Sequence, residues 1–214
     1  MKTQKLERIE FGKIHKDLYS ASSKVKELVA DKATFLSVEG KGEPGGPAFQ
    51  EAIQKLYTVA YTTKFMLKSE ARLDFAVSKL ECLWRIENPD TLPRSEWRWQ
   101  LLIRIPEAVK SSDLKKAAAE IRRKRELDVS GVVRLAWKEG RCLQIMHVGP
   151  YDEVGRSYQL LEGYARAEGL TAVCPAHEIY ISDPRRVTPA KLKTIVRLPV
   201  GAQPKDESAR AEAK

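Results

Sequence analysis

The chain has 214 residues, 43% of them hydrophobic and 31% charged, with a formal net charge of +9. That length supports one large domain or two small ones with a substantial core. No run of 18 or more apolar residues occurs, which excludes a transmembrane helix, and the opening M-K-T-Q-K-L-E-R-I-E has no apolar h-region and no cleavage motif.

Three cysteines, Cys82, Cys142 and Cys174, fall at no metal-ligand spacing. They read as reduced thiols buried in strands of a cytoplasmic protein, with no metal and no cofactor expected. The positive charge is concentrated between Lys110 and Glu126, where seven basic residues stand against three acidic ones. Leu114, Ala117, Ala118 and Ile121 recur there at helical spacing, so a basic linker helix is expected over residues 111–126. No aromatics interleave with its lysines and arginines, and no nucleic-acid motif accompanies them. A solvated helix face is therefore favoured over a nucleic-acid contact.

In chain order, residues 1–32 are polar and weakly patterned, an N-terminal arm with Phe11, Ile14, Leu18 and Tyr19 as docking points. A strand, T-F-L-S-V, occupies residues 34–38, followed by the loop G-K-G-E-P-G-G-P, which reads as a tight strand-to-helix connection rather than a phosphate loop. Pro47, with no donor to lose at a first helical position, opens a helix to about residue 67, in which Phe49, Ile53, Leu56, Tyr57, Ala60, Tyr61 and Met66 recur. Strands follow at about 75–86 and 97–105, separated by N-P-D-T-L-P-R-S. After the basic helix a hairpin pairs residues 132–137 with 142–148 through K-E-G-R. Gly149-Pro150 starts a second helix to about residue 167, which Gly169 closes. The stretch C-P-A-H-E-I-Y-I-S-D-P-R-R, Cys174 to Arg186, is a strand with one carboxylate at its centre. A last strand covers residues 192–198, and the polar residues 201–214 are expected to be disordered.

One plan appears twice: strand, Gly-Pro, helix, strand with a central Glu, strand ending Arg-apolar-Pro. Gly46-Pro47 matches Gly149-Pro150, Glu81 matches Glu178, and Arg104 matches Arg197, at offsets of 103, 97 and 93 residues. The simplest account is an α+β fold of duplicated β-α-β-β units, pseudo-repeat 1 over 33–106 and pseudo-repeat 2 over 132–200. Their strands form one pseudo-twofold antiparallel sheet, with the helices on one side and a shared ligand groove on the other.

The segments F-L-S-V-E-G-K-G-E-P-G-G-P-A-F-Q-E-A, L-Y-T-V-A-Y-T-T-K-F, S-K-L-E-C-L-W, E-W-R-W, I-M-H-V-G-P-Y-D-E, H-E-I-Y-I-S-D-P-R-R and L-K-T-I-V-R-L-P-V resemble, in order and spacing, the stand-alone GyrI-like small-molecule-binding proteins. These are related to the effector-binding domains of AraC-type and BmrR-type multidrug regulators. The resemblance covers residues 33–200 and implies a duplicated β-α-β-β fold whose central groove combines aromatics with an acid matching Glu178. Hydrophobic aromatic small molecules are the partners it implies. No helix-turn-helix module accompanies it, so a regulator role does not carry over. Some stand-alone members hydrolyse the activated cyclopropane of duocarmycin-like alkylating natural products. Members often carry a Trp-Trp pair where this chain has Trp84-Arg85, a departure in one wall of the groove.

The candidate site follows from alternation along the strand. Glu178, Tyr180 and Ser182 point one way, His177 and Ile179 the other. Glu178 is the candidate catalytic base or ligand anchor, with Tyr180, or Tyr151 just after Gly149-Pro150, as the hydrogen-bond donor. Trp84, Trp97, Trp99 and Trp137 offer flat stacking surface. Glu81 is the expected pseudo-symmetric counterpart of Glu178, a groove wall rather than a catalyst, and His147 a further candidate near the groove. The functional alternatives are a hydrolase of cyclopropanoid toxins and a non-catalytic multidrug-binding protein.

Overall fold

The computed structural model describes residues 6–86, 91–125, 127–173 and 175–202. Residues 87–90 of the expected turn, Glu126 at the end of the basic helix, Cys174 and the tail from residue 203 lie outside the described residues. Twelve principal elements follow in order: β1 (Lys26–Ala30), β2 (Ala33–Lys41), α1 (Pro47–Ser69), β3 (Leu80–Trp84), β4 (Arg98–Arg104), α2 (Ser111–Arg125), β5 (Val133–Trp137), β6 (Gly140–Val148), α3 (Gly155–Ala167), β7 (Leu170–Ala172), β8 (Ala176–Tyr180) and β9 (Lys193–Ala202). The residues read as an arm contribute β1 to the sheet, two short helices at Phe11–Ile14 and Lys16–Tyr19, and Arg8–Ile9, which pairs in parallel with Asp74–Phe75.

The sheet order is β1-β6-β9-β8-β3-β4-β2-β5, with β7 added on β9. Outward from the central antiparallel pair of β8 and β3, the strands β9, β6 on one side answer β4, β2 on the other. The two units expected from the sequence are therefore β2-α1-β3-β4 and β6-α3-β8-β9, joined at β3 and β8. The outermost strands are exchanged between units: β1 pairs with β6, and β5 with β2.

That exchange bends the sheet. In a flat sheet β1 and β2 would stand six inter-strand steps apart, about 29 Å at ~4.8 Å per step. Only residues 31 and 32 connect them, and three Cα steps reach at most about 11 Å. Residues 138 and 139 impose the same limit on β5 and β6. The sheet must therefore curl until its ends approach, which encloses one face.

The other face carries the helices. Leu36, Val38, Leu101 and Ile103 from β2 and β4 meet Phe49, Leu56 and Val59 of α1, with Leu114 and Ile121 of α2 behind them. Leu143, Ile145, Val196 and Leu198 meet Leu161 and Ala165 of α3. The enclosed face holds a smaller apolar group around Phe35, Leu83 and Leu102 beside a set of buried polar side chains. The first turn of α2 is closed by Asp113, which accepts the Lys110 backbone N–H at 2.8 Å and the Arg72 guanidinium at 2.8 Å. The basic residues 115, 116 and 122–125 face outward, and Glu120 pairs with Arg123 and Lys124.

One glycine has a packing reason. A Cβ on Gly40 would stand 2.0 Å from the six-membered ring of Trp99, which is buried and packs edge-on to Phe49 at 5.1 Å. Gly40→Ala should force that ring to move and cost about 2 kcal/mol, as overpacking of a filled core does. Urea unfolding of the two proteins checks this, and equal midpoints would show that the ring is not confined.

Candidate functional site

Glu178 sits at the middle of β8, the central strand, and is only 5% exposed. Burying a carboxylate costs several kcal/mol unless donors replace water. Here the Tyr158 hydroxyl donates to its Oε1 at 3.1 Å and the Tyr180 hydroxyl to its Oε2 at 3.0 Å. The Trp84 indole is a third donor group against it. Burial pushes the carboxyl above the usual carboxylate range, and the three donors counter this only in part. Tyr180 is two residues along the same strand face, whereas Tyr158 comes from the sheet-facing stripe of α3, which Leu161 and Ala165 continue.

The walls are aromatic. Phe49 and Trp84 lie parallel, centroids 6.0 Å apart and 5° between planes, and Trp97 stands edge-on to Trp84 at 5.7 Å. The Trp97 indole N–H donates to the Leu92 carbonyl at 3.0 Å, which holds the ring in place. Tyr151 stands edge-on to Tyr180 at 5.5 Å. Residues of both units line one continuous cavity of ≈ 2660 Å³, with Glu178 on its floor. This exceeds the roughly 300–1,000 Å³ of ordinary small-molecule pockets, so it has room for a ligand of several rings.

The cavity lies between α1 and α3, since Phe49 and Tyr57 of α1 and Tyr158 of α3 line it. The expected arrangement, with helices on the side away from the groove, is thus corrected. Each helix covers only its own half of the sheet, so the uncovered strip runs between them over β3 and β8.

The residues that line the cavity include Glu178, Tyr180, Tyr151, Trp84 and Trp97. The other expected site residues are placed elsewhere. Trp99 is buried behind Phe49. Glu81 is directly opposite Ile179 in the β3–β8 register, whereas Glu178 faces Cys82. Residues opposite one another share a face, so Glu81 points to the enclosed side and is not the counterpart of Glu178. Trp137 also lies on that side, edge-on to His177 at 5.4 Å. His147 is buried under the start of α3, its Nδ1 3.1 Å from Ser157 Oγ and its Nε2 3.0 Å from the Pro150 carbonyl. Tyr158 and Phe49 are cavity residues that the sequence reading missed. The period of α3, with Tyr158, Leu161 and Ala165 three and four residues apart, carries the signal for the first.

Beneath Glu178, the enclosed face holds a charged network. His177 touches Glu139 through Nδ1 and Glu81 through Nε2, both at 3.0 Å. Arg197 donates to Glu139 at 3.1 Å, to Gln144 at 2.8 Å and to the Leu18 carbonyl. The Tyr19 hydroxyl donates to Glu81 at 2.8 Å, which ties the N-terminal segment to the network. Burial opposes a charge on His177, but the two carboxylates outweigh it and push the imidazole up to about 9. Both ring nitrogens then donate, and two cations balance two anions. Among the described residues, no group of three or more His, Cys, Asp or Glu side chains is arranged to hold a metal ion, and no helix is long and apolar enough to cross a membrane.

A duplicated sheet with an aromatic cleft between its helices and one buried acid on the cleft floor defines a small-molecule-binding protein. The chain belongs to the family of the GyrI-like small molecule binding domain, whose model matches residues 23–200. It is 36% identical to an uncharacterized conserved protein from Listeria innocua, over 90% of this chain and 100% of that one, with a TM-score of 0.85. It is 37% identical to a hydrolase from the same organism, over 91% and 100% of the two chains, with a TM-score of 0.84. The EcmrR C-terminal domain, at 14% identity over 86% and 99% of the chains and a TM-score of 0.54, shares the fold alone. A search of curated proteins found no match.

Two outcomes follow from this geometry. Because the folded value for His177, about 9, exceeds the ordinary 6.5, its stabilising contribution is complete below pH 6.5 and disappears as pH rises through about 9. The upper limit is roughly 3 kcal/mol at 1.36 kcal/mol per pH unit. His177→Gln should therefore unfold at lower urea than the parent at pH 6, with the gap closing by pH 10. Trp97→Ala should weaken a flat aromatic dye by about 1–2 kcal/mol, measured by fluorescence titration, while leaving the fold intact.

Proposed function

We propose that the protein binds flat, hydrophobic aromatic small molecules in the cavity between α1 and α3 and hydrolyses those bearing a strained cyclopropane conjugated to a carbonyl. The observation that carries this reading is Glu178, a desolvated carboxylate on the floor of an aromatic cleft. A carboxyl whose affinity for protons is raised by burial is a better base near neutral pH than one in water. The 37% identity to a Listeria innocua hydrolase supports hydrolysis as the class of reaction.

In the proposed reaction the aromatic walls hold the fused rings so that the cyclopropane faces Glu178. A water oxygen adds to the strained carbon, and that carbon's bond to the ring system breaks. The released electron pair moves through the conjugated system onto the carbonyl oxygen, which becomes a phenolate. Glu178 accepts the water proton and passes it on to solvent, and the phenolate takes a proton from solvent, leaving a phenol and an alcohol. Tyr180 already gives its hydroxyl hydrogen to Glu178, so Tyr151 is the better placed donor to the carbonyl as charge gathers there. Orientation of the rings is the other contribution, because it converts an encounter with water into a local event.

A second reading rests on a specific feature. Both oxygens of Glu178 already accept tyrosine hydroxyls, an arrangement that also suits a fixed negative anchor for lipophilic cations in a protein that only sequesters drugs. Incubation with a duocarmycin-like substrate, followed by mass spectrometry, distinguishes the two. Glu178→Gln should lower turnover at least ~100-fold while leaving the thermal midpoint unchanged or higher at neutral pH, because it removes a buried charge. Absence of product with the parent protein, together with dye binding that requires a cation and is lost in Glu178→Gln, would establish the sequestering role instead.

A further inference from the structure

His147 does not line the cavity, yet its surroundings connect it to Glu178. A carbonyl oxygen only accepts, so the 3.0 Å contact with the Pro150 carbonyl places the proton of the neutral ring on Nε2. Nδ1 is then an acceptor, and the Ser157 hydroxyl 3.1 Å away donates to it. Both side chains are buried, and neither reaches the cavity wall, so the pair has no access to a substrate as a nucleophile and its base. Ser157 is the third residue of α3, and the next residue is Tyr158, whose hydroxyl reaches Glu178 Oε1. The turn from Gly149 to Val154 that leads into α3 contains Gly149 at φ 147°, a conformation open to glycine and closed to most side chains. His147 thus fastens the turn through Pro150 and the helix through Ser157 with one ring. On the sheet, His147 faces Thr194, which in turn faces Tyr180, so the ring lies in the same cross-strand row as the other tyrosine on Glu178.

We propose that His147 is a positioning residue for Glu178: through Ser157 and the first turn of α3 it holds the Tyr158 hydroxyl on the carboxylate. This rests on the reading of Glu178 as the working group of the cavity. The first turn of α3 has no side-chain cap of its own, and His147 is the sheet residue that bonds it, through Ser157. A small rotation would carry the Tyr158 ring past the carboxylate, since a hydroxyl at the end of a phenol moves further than the helix backbone. The titratable groups that face Glu178 are Tyr158 from α3, Tyr180 from its own strand, Cys82 from β3, Tyr151 from the turn before α3 and His147 from β6. Removing one donor from an ionised carboxylate raises its midpoint.

The test follows the Glu178 carboxyl itself by carbon-13 NMR across a pH titration, with Glu178→Gln identifying its signal. Tyr158→Phe should raise the midpoint by about one pH unit, the size of one donated hydrogen bond. His147→Gln, which keeps the donor toward Pro150 and loses the acceptor for Ser157, should raise it by a similar amount. His147→Asn, whose side-chain oxygen stands near the former Nδ1, should restore most of the parent value. In the Tyr158→Phe background, His147→Gln should add nothing. A folded His147→Gln protein with the parent midpoint, or a shift that persists in full without the Tyr158 hydroxyl, overturns the proposal. Ligand binding measured on the same variants separates the two readings. If the midpoints move as expected while Glu178→Gln leaves binding and turnover intact, the role given to Glu178 fails and the positioning role of His147 stands.

Discussion

The central strand of this protein buries two adjacent ionisable side chains on opposite faces, and the rest of the structure answers to that fact. His177 and Glu178 cannot both be accommodated by one apolar core, because each would be a buried charge without a partner. Alternation along β8 sends them apart. The enclosed face supplies Glu81, Glu139 and Arg197 around the histidine, and the helix face supplies tyrosines and an indole around the glutamate. On one side full ionic pairing makes a lock. On the other, hydrogen bonds without a cation leave a carboxylate that favours its proton.

This difference assigns the two faces different work. The lower network joins β3, β8, β9 and the connection between β5 and β6, and it fastens the N-terminal segment through Tyr19 and the carbonyl of Leu18. It therefore sits where the exchanged outer strands force the sheet to curl. A rigid floor of this kind is what a binding site needs if its buried acid is to keep a fixed position. The upper face is open between α1 and α3 because each helix packs on its own unit. The pseudo-twofold axis makes the seam, and the sequence differences between the units make it chemically one-sided, with Trp84 and Trp97 from the first and Tyr158 and Tyr180, which bond Glu178, from the second.

Much of this was legible in the residues. The duplicated order of elements, the proline start of α1, and the shared facing of Glu178 and Tyr180 follow from spacing alone, whereas Pro150 opens a short 3-10 turn at Tyr151–Glu153 and α3 begins only at Gly155. The family resemblance agrees with the model match over residues 23–200. The assignment of Glu81 failed for a physical reason: the helix-face position of β3 opposite Glu178 is Cys82, one residue from Glu81, and in a two-residue repeat an error of one position reverses the face. The side on which the groove opens was also illegible, since it depends on how far each helix extends across the sheet. The pairing of His177 with Glu139 and Arg197 links strands distant in sequence, and no local pattern announces it. Cys82 illustrates the same limit, a thiol directly opposite Glu178 in register whose burial pushes its pKa well up and keeps it from acting as a nucleophile.

The role of the cleft is decided by where a ligand goes. A crystal structure of the protein soaked with a flat, multi-ring aromatic compound should show the rings between α1 and α3, stacked against Trp84 or Trp97, with a polar atom within hydrogen-bond distance of Glu178. Rings seated on the enclosed face, or in the cleft but turned away from a Glu178 that contacts only its own tyrosines, would contradict it.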